Sequence, residues 1–103
     1  MAYRVLVTAG ADGDIVEILQ YLADTLQNKP AAARFADALE QKYDMLSQFP
    51  YSCEESRDIR LKQQGYHKFV IDNYVGLYLV SDERREVDIM RVFYGKRDYA
   101  KYL

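Results

Sequence analysis

The hydrophobic period changes once along this chain, and that change fixes the class of fold open to it. From Asp14 to Phe49 apolar residues recur every three or four positions: Ile15, Ile18, Leu19, Leu22 and Leu26, then Ala32, Phe35, Leu39, Tyr43 and Leu46. This is the spacing of one buried stripe along a helix. From Tyr66 to Tyr94 the apolar segments are short, β-branched and aromatic, with a period of two and turn residues between them. That is the signature of strands. Residues 50–57, PYSCEESR, follow neither period and join the two halves as a loop. A helical half followed by a run of strands reads as an α+β fold, with helices on one face of a sheet.

Within that frame the elements are predicted as follows. Tyr3 to Thr8 is a first strand, ended by a turn over Ala9-Gly10-Ala11-Asp12-Gly13. Asp14, with Glu17 three positions on, opens the first helix in the manner of a capping box, and Asn28 ends it. Pro30 suits the first turn of a second helix, which Phe49-Pro50 stops. The short connection over Gln27 to Lys29 makes the two an antiparallel hairpin. Asp58 to Leu61 is read as a short strand that presents Asp58, Arg60 and Lys62 on one face. The segments Tyr66 to Ile71, Tyr74 to Val80 and Glu86 to Tyr94 then require an antiparallel meander, because only hairpin-length turns separate them. The ending GKRDYAKYL is either a tail or one helical turn. The expected core joins Ile15, Ile18, Leu22, Phe35, Leu39 and Leu46 to Val5, Val7, Phe69, Ile71, Leu77, Leu79, Ile89 and Val92. No internal repeat or composition break divides residues 1–103, so one domain is expected.

Composition bounds the chemistry. No apolar run nears the roughly 18 residues of a membrane span. The first twenty residues carry Asp12, Asp14 and Glu17 and lack a basic-then-apolar leader, so neither a secretory signal nor a membrane partner is expected. One cysteine, Cys53, cannot staple a fold, and the expected setting is the reducing cytoplasm. Asp12 and Asp14 read as acids of a helix N-terminus, with no His or Cys cluster to make a metal site, and Gly10 to Gly13 is too short for a phosphate loop. No metal and no organic cofactor is expected. Charge is unevenly spread: residues 1–56 hold four Lys or Arg against nine acids, and residues 57–103 hold ten against seven. The C-terminal half can therefore present a cationic surface although the chain is acidic overall. His67, the only histidine, sits among Arg57, Arg60, Lys62 and Lys68, with Arg91, Lys96, Arg97 and Lys101 coming from the last strand and tail. Its imidazole is the one group here suited without tuning to proton transfer near neutral pH. Ten tyrosines serve strands and core, with one or two available to stack on bases or donate a proton.

Three stretches, NKPAAARFADALEQKYDMLSQFP, GYHKFVIDNYVGLYLV and VDIMRVFYGKRDYAKYL, taken in that order, resemble the RelE/ParE superfamily, the toxins of bacterial type II toxin-antitoxin systems. The resemblance covers nearly the whole chain, including an Arg-Val-x-Tyr-Gly-x-Arg-Asp finish. It implies a cognate antitoxin supplying an amphipathic helix and an extended segment, a toxin-antitoxin complex of higher oligomeric order, growth inhibition, and a role in plasmid stabilisation. In RelE-type members a basic site cuts mRNA in the ribosomal A site by activating a ribose 2′-hydroxyl. Carried over through RDIRLKQQGYHKF, Arg60 stands at a catalytic lysine position, Lys62 at a basic one and His67 at an arginine. Arg97 stands where an arginine that stabilises phosphate belongs. Asp58 replaces a second catalytic lysine, and Leu103 falls at the spacing of a catalytic tyrosine, with Tyr102 and Tyr99 beside it.

On this reading Arg60, His67, Arg97 and Tyr102 form a catalytic set of a ribosome-dependent mRNA endoribonuclease. Arg57, Lys62, Lys68 and Lys96 hold the RNA. The alternatives implied by the same resemblance are a ParE-like inhibitor of DNA gyrase without nuclease residues, and an inactive toxin fold that only binds antitoxin.

Overall fold

The computed structural model describes residues 2–53 and 59–95. The expectations placed on Arg57, Asp58, Lys96, Arg97, Tyr99, Tyr102 and the chain ending lie outside the described residues. Strand β1 (Arg4–Val7) leads into helix α1 (Ala9–Gln20), which continues through a π-helical turn (Tyr21–Thr25). Helix α2 (Lys29–Gln48) returns antiparallel, and a short helix α3 (Ile59–Gln63) precedes β2 (His67–Ile71), β3 (Tyr74–Ser81) and β4 (Glu86–Tyr94). The sheet order is β1-β4-β3-β2. The last three strands form the expected antiparallel meander, and β1 joins its β4 edge in parallel, from Arg4 opposite Glu86 to Val7 opposite Ile89. This is the α+β arrangement read from the two periods. No helix among the described residues is long and apolar enough to cross a membrane.

Helix α1 begins earlier than Asp14. Thr8 is its N-cap, with Oγ1 accepting from the Ala11 amide at 3.2 Å and donating to the carbonyls of Ile89 (2.9 Å) and Met90 (3.1 Å). The stretch Ala9 to Gly13, expected as a turn, is therefore the first turn and more of the helix. Each glycine costs about 1 kcal/mol there relative to alanine, but the cap and the docking of Thr8 on β4 outweigh that. Gly10 also lets α1 approach β4 closely, since a Cβ at this position would lie 3.1 Å from Arg91 Cδ. Asn28 does for α2 what Thr8 does for α1, its side chain accepting from the Ala31 amide at 3.1 Å, with Pro30 in the first turn as expected.

The hairpin face of the sheet carries the main core: Ile18, Phe35, Leu39 and Leu46 pack on Phe69, Ile71, Tyr78, Val87, Ile89 and Val92, with Val5, Val7, Ile15 and Leu22 half-buried around them. Two expected members are elsewhere. Leu77 and Leu79 face the other side of the sheet, in a second cluster with Leu61, Tyr66, Val75 and Phe93. Alternation along β3 requires this, because Tyr74, Gly76 and Tyr78 take the hairpin face. Gly76 leaves room for the Phe69 ring, which a Cβ there would overlap. On β4 a bulge intervenes: Leu77 pairs with Arg91 and Tyr78 with Ile89, leaving Met90 unpaired and changing the parity of the inward residues from Val87 and Ile89 to Val92.

The short strand expected at Asp58 to Leu61 is not formed over its described part, which opens helix α3 instead. Its end shows why. The Tyr66 amide bonds the Leu61 carbonyl and the Gly65 amide bonds the Lys62 carbonyl, with Gly65 at φ +86°. This is a Schellman ending, completed by contact between Leu61 and Tyr66 in the second cluster. Strand β2 begins directly after Tyr66.

Candidate functional site

His67 opens β2 directly opposite Tyr78, so the two side chains share the hairpin face of the sheet. Their rings stack at 5.4 Å and 22°, and the Tyr51 ring meets the imidazole edge-on at 5.6 Å. Nδ1 lies 3.3 Å from the Cys53 carbonyl. A carbonyl can only accept, so Nδ1 is the donor in this contact. The segment over His67 is itself tied down. The fully buried Tyr78 donates to the Pro50 carbonyl at 3.0 Å, and burial pushes its phenol well above the usual range. Tyr51 and Tyr3 both donate to Asp82 Oδ1 at 2.7 Å, joining the loop after α2 and the lead-in to β1 to the β3–β4 turn. These bonds, that of Tyr51 foremost, hold the Asp82 carboxyl below its ordinary value. In return the Tyr51 phenol is pushed up to about 12, chiefly by its bond to Asp82.

The cations lie on the other side. Lys68 and Arg91 both stand opposite Leu77, which belongs to the second cluster, so they project from the α3 face. Arg60 and Lys62 are exposed on α3 itself, either side of the buried Leu61 that docks this helix on that same face. Over the described residues the expected joint surface of cations and imidazole is thus split. Arg60, Lys62 and Lys68 share a face, and His67 faces the opposite way.

Two residues that the sequence reading did not connect are joined here. Arg91 forms a two-pronged pair with Asp14, Nε to Oδ2 at 2.7 Å and Nη2 to Oδ1 at 3.0 Å, and Asp14 Oδ2 also accepts from the Val92 amide at 2.9 Å. The guanidinium lies 4.6 Å above the Phe93 ring, and its bonds to Asp14 hold its pKa above the ordinary value. Asp14 therefore does for β4, beyond the end of β1, what a neighbouring strand would do. The partners stand 77 positions apart, and no local pattern announces the pair. Near the other end of β4, Glu86 is buried between Arg4 (3.6 Å) and Arg84 (3.4 Å). Burial, and then the Glu86 charge, raise the carboxyl of Asp88. Among the described residues no three His, Cys, Asp or Glu side chains gather as a metal centre.

Comparison with known proteins places this geometry. The family model described as the ParE toxin of the type II toxin-antitoxin system parDE matches residues 5–99. No curated protein matches the sequence. Among solved structures, the toxin-antitoxin complex RelBE2 from Mycobacterium tuberculosis is 23% identical with a TM-score of 0.65, covering 91% of this chain and 99% of that one. A chromosomal ParDE system from P. aeruginosa is 14% identical with a TM-score of 0.70, covering 90% and 96%. A mutant of the E. coli toxin RelE in the free state is 17% identical with a TM-score of 0.62, covering 99% and 93%. At these identities the structural likenesses establish the fold.

Proposed function

The chain belongs to the ParE toxin family of type II toxin-antitoxin systems, and from that premise we propose that it arrests growth by inhibiting DNA gyrase rather than by cutting mRNA. The observation that carries the choice is the separation of His67 from Arg60, Lys62 and Lys68, the cations of the expected set that lie among the described residues. Cleavage through a 2′-hydroxyl needs a proton carrier and cations converging on one phosphate. Here the imidazole is turned to the hairpin face, stacked on Tyr78 and bonded to the Cys53 carbonyl, while Lys68 and the cations of α3 belong to the reverse face. Their charge serves docking, steering the toxin towards an oppositely charged target surface. Arg57, Lys96, Arg97 and Tyr102 are assigned to that docking surface from sequence alone. Its setting is the cytoplasm, and its partner is a cognate antitoxin that masks it until released.

Two assays on the purified chain decide the matter. Gyrase supercoiling should be inhibited, and primer extension on translating ribosomes should find the mRNA intact. Lys62→Glu with Lys68→Glu should weaken inhibition on the order of 10-fold, more at low salt than at high. His67→Ala should leave inhibition nearly unchanged. Cleaved mRNA with supercoiling untouched would overturn the proposal and restore the ribonuclease reading. Neither activity would leave a toxin fold that only binds its antitoxin.

A further inference from the structure

We propose that the outer edge of β2 pairs with the same edge of a second copy of this chain, the two strands running antiparallel about a twofold axis at Val70. In the sheet order β1-β4-β3-β2 this strand has a neighbour on one side alone. Which of its backbone groups face out follows from the next turn. The Gly95 amide bonds the Asn73 carbonyl at 2.6 Å, which makes Tyr74 and Tyr94 a non-hydrogen-bonded pair and turns the Tyr74 amide and carbonyl towards Ile71. Alternation from Ile71 then sends the amides and carbonyls of Val70 and Lys68 outwards, where no backbone partner meets them among the described residues. Edges of this kind are blunted elsewhere by proline or a bulge. Strand β2 has no proline and pairs with β3 in unbroken register, and Val70, on its outer side, is 50% exposed.

Charge selects the register. With the axis at Val70, Lys68 of each copy stands opposite Asp72 of the other, so a single pairing makes two unlike-charge contacts. The two lysines are then four residues apart along the strands, roughly 13 Å. An axis at Phe69 would set each Lys68 opposite Val70, bring the lysines within two residues of each other, roughly 7 Å, and leave Asp72 without an opposite charge. The side chains of Lys68 and Asp72 make no hydrogen bond or ion pair among the described residues, so their charges are available to the copy.

Packing on the hairpin side has the same symmetry. A hollow of about 470 Å³ runs between α2 and this edge, walled by Ala38, Lys42, Met45, Val70 and Asp72 among others. The axis sets the copy's hollow beside this one on the same face of the joined sheet, so the apolar walls at Ala38 and Met45 lose water together. A seam of five residues with these flanks is that of a transient dimer, not an obligate one.

This association goes beyond the gyrase reading and does not rest on it. Lys68 serves in both, so the readout is the state of the chain alone. Sedimentation velocity of the full chain from about 1 to about 500 µM, where small interfaces associate, should show a monomer–dimer equilibrium. Amide NMR over the same range should shift Lys68, Val70 and Asp72. Lys68→Glu and Asp72→Lys should each weaken dimerisation on the order of 10-fold or more, by setting like charges at both ends of the seam. Mixing the two variants should restore it, because one chain then offers only acids there and the other only bases. Val70→Lys, at an exposed position on the axis, should abolish it, whereas Val16→Lys, at an apolar residue 44% exposed on α1, should change nothing. Circular dichroism of each variant should match wild type. A monomer at every concentration, a dimer indifferent to both Lys68→Glu and Val70→Lys, or shifts confined to β1 and β4 would overturn the proposal. Lys68 and Val70 amides that move only when antitoxin is added would overturn it as well, and give the edge to that partner.

Discussion

Removing the Asp14 carboxylate tests the claim that a helix side chain stands in for a missing strand. In Asp14→Ala the Val92 amide, in a residue only 3% exposed, loses its acceptor, and the Arg91 guanidinium loses both prongs of its pair. A hydrogen bond to an ionised acceptor contributes about 1.5–3 kcal/mol when its loss strands a buried donor. The Arg91 pair is half-buried, with side-chain exposures of 28% and 13%, so its share is discounted for solvent to about 1 kcal/mol. Together these give about 2.5–4 kcal/mol, which for a domain of this size lowers the thermal midpoint by about 10–30 °C. Circular dichroism melts of wild type, Asp14→Ala, Arg91→Ala and the double variant close a cycle whose coupling should be about 1 kcal/mol. Asp14→Asn, which keeps an acceptor for Val92, should recover more than half of the loss. A loss below about 0.5 kcal/mol in Asp14→Ala, or strict additivity with Arg91→Ala, would refute the role given to this carboxylate.

Other outcomes follow from the packing and the titrating groups. Leu39→Ala, at a side chain 4% exposed between hairpin and sheet, should cost about 2–5 kcal/mol in urea unfolding, and an unchanged midpoint would remove it from the core. Gly76→Ala drives a methyl into the Phe69 ring and should cost about 1–3 kcal/mol, much of it returned by Phe69→Leu in the same chain. Asp88 is raised in the fold, so the native state holds its proton more tightly than the unfolded chain does. Its charge therefore opposes folding at neutral pH, and the penalty lifts as pH falls through the raised pKa. Asp88→Asn should be at least as stable as wild type at pH 7 and lose that advantage in acid, as melts over a pH series would report. Asp82 has the opposite sign: what its depressed pKa contributes is present above the unfolded value and is lost as pH falls through the folded one. Asp82→Ala should bring the Tyr51 phenol down from about 12 towards its ordinary value, read by NMR on ring-labelled tyrosine.

What was legible in the sequence divides by how local the cause is. The hairpin of α1 and α2, the meander and most of the core follow from periodicity, and periodicity is a property of neighbouring residues. The start of α1 lies earlier than its local sequence predicts because the decisive cap, Thr8, is held by β4 carbonyls 81 and 82 residues away, while the glycines after it read locally as a turn. Leu77 and Leu79 lie on the face opposite the predicted one for a related reason. Apolar residues fill both parities of β3, so only the packing of Phe69 over Gly76 decides which parity meets the helices. Helix α3 is different, since Leu61-Lys62-Gln63-Gln64-Gly65-Tyr66 spells a Schellman ending with its apolar contact, a local signal that a strand reading of the alternating cations passed over.

The candidate site shows the sharper lesson, because adjacency in sequence is the wrong measure of adjacency on a sheet. His67 and Lys68 are consecutive, and for that reason they must point to opposite faces. Of the cations that surround the imidazole in the sequence, Lys68, the one in the same strand, is therefore turned away from it. Register supplies what spacing cannot: Lys68 and Arg91, 23 positions apart, stand on either side of Leu77 on one face, while His67 stacks on Tyr78 on the other. A proton carrier and a phosphate clamp drawn from β2 would need residues two apart, and two positions on from His67 the chain has Phe69, 2% exposed beneath the hairpin. The strand thus offers a cationic face and an aromatic one. A toxin that works by occupying a macromolecular target can use the first without chemistry from the second, and this is the physical ground on which inhibition by docking is favoured over catalysis.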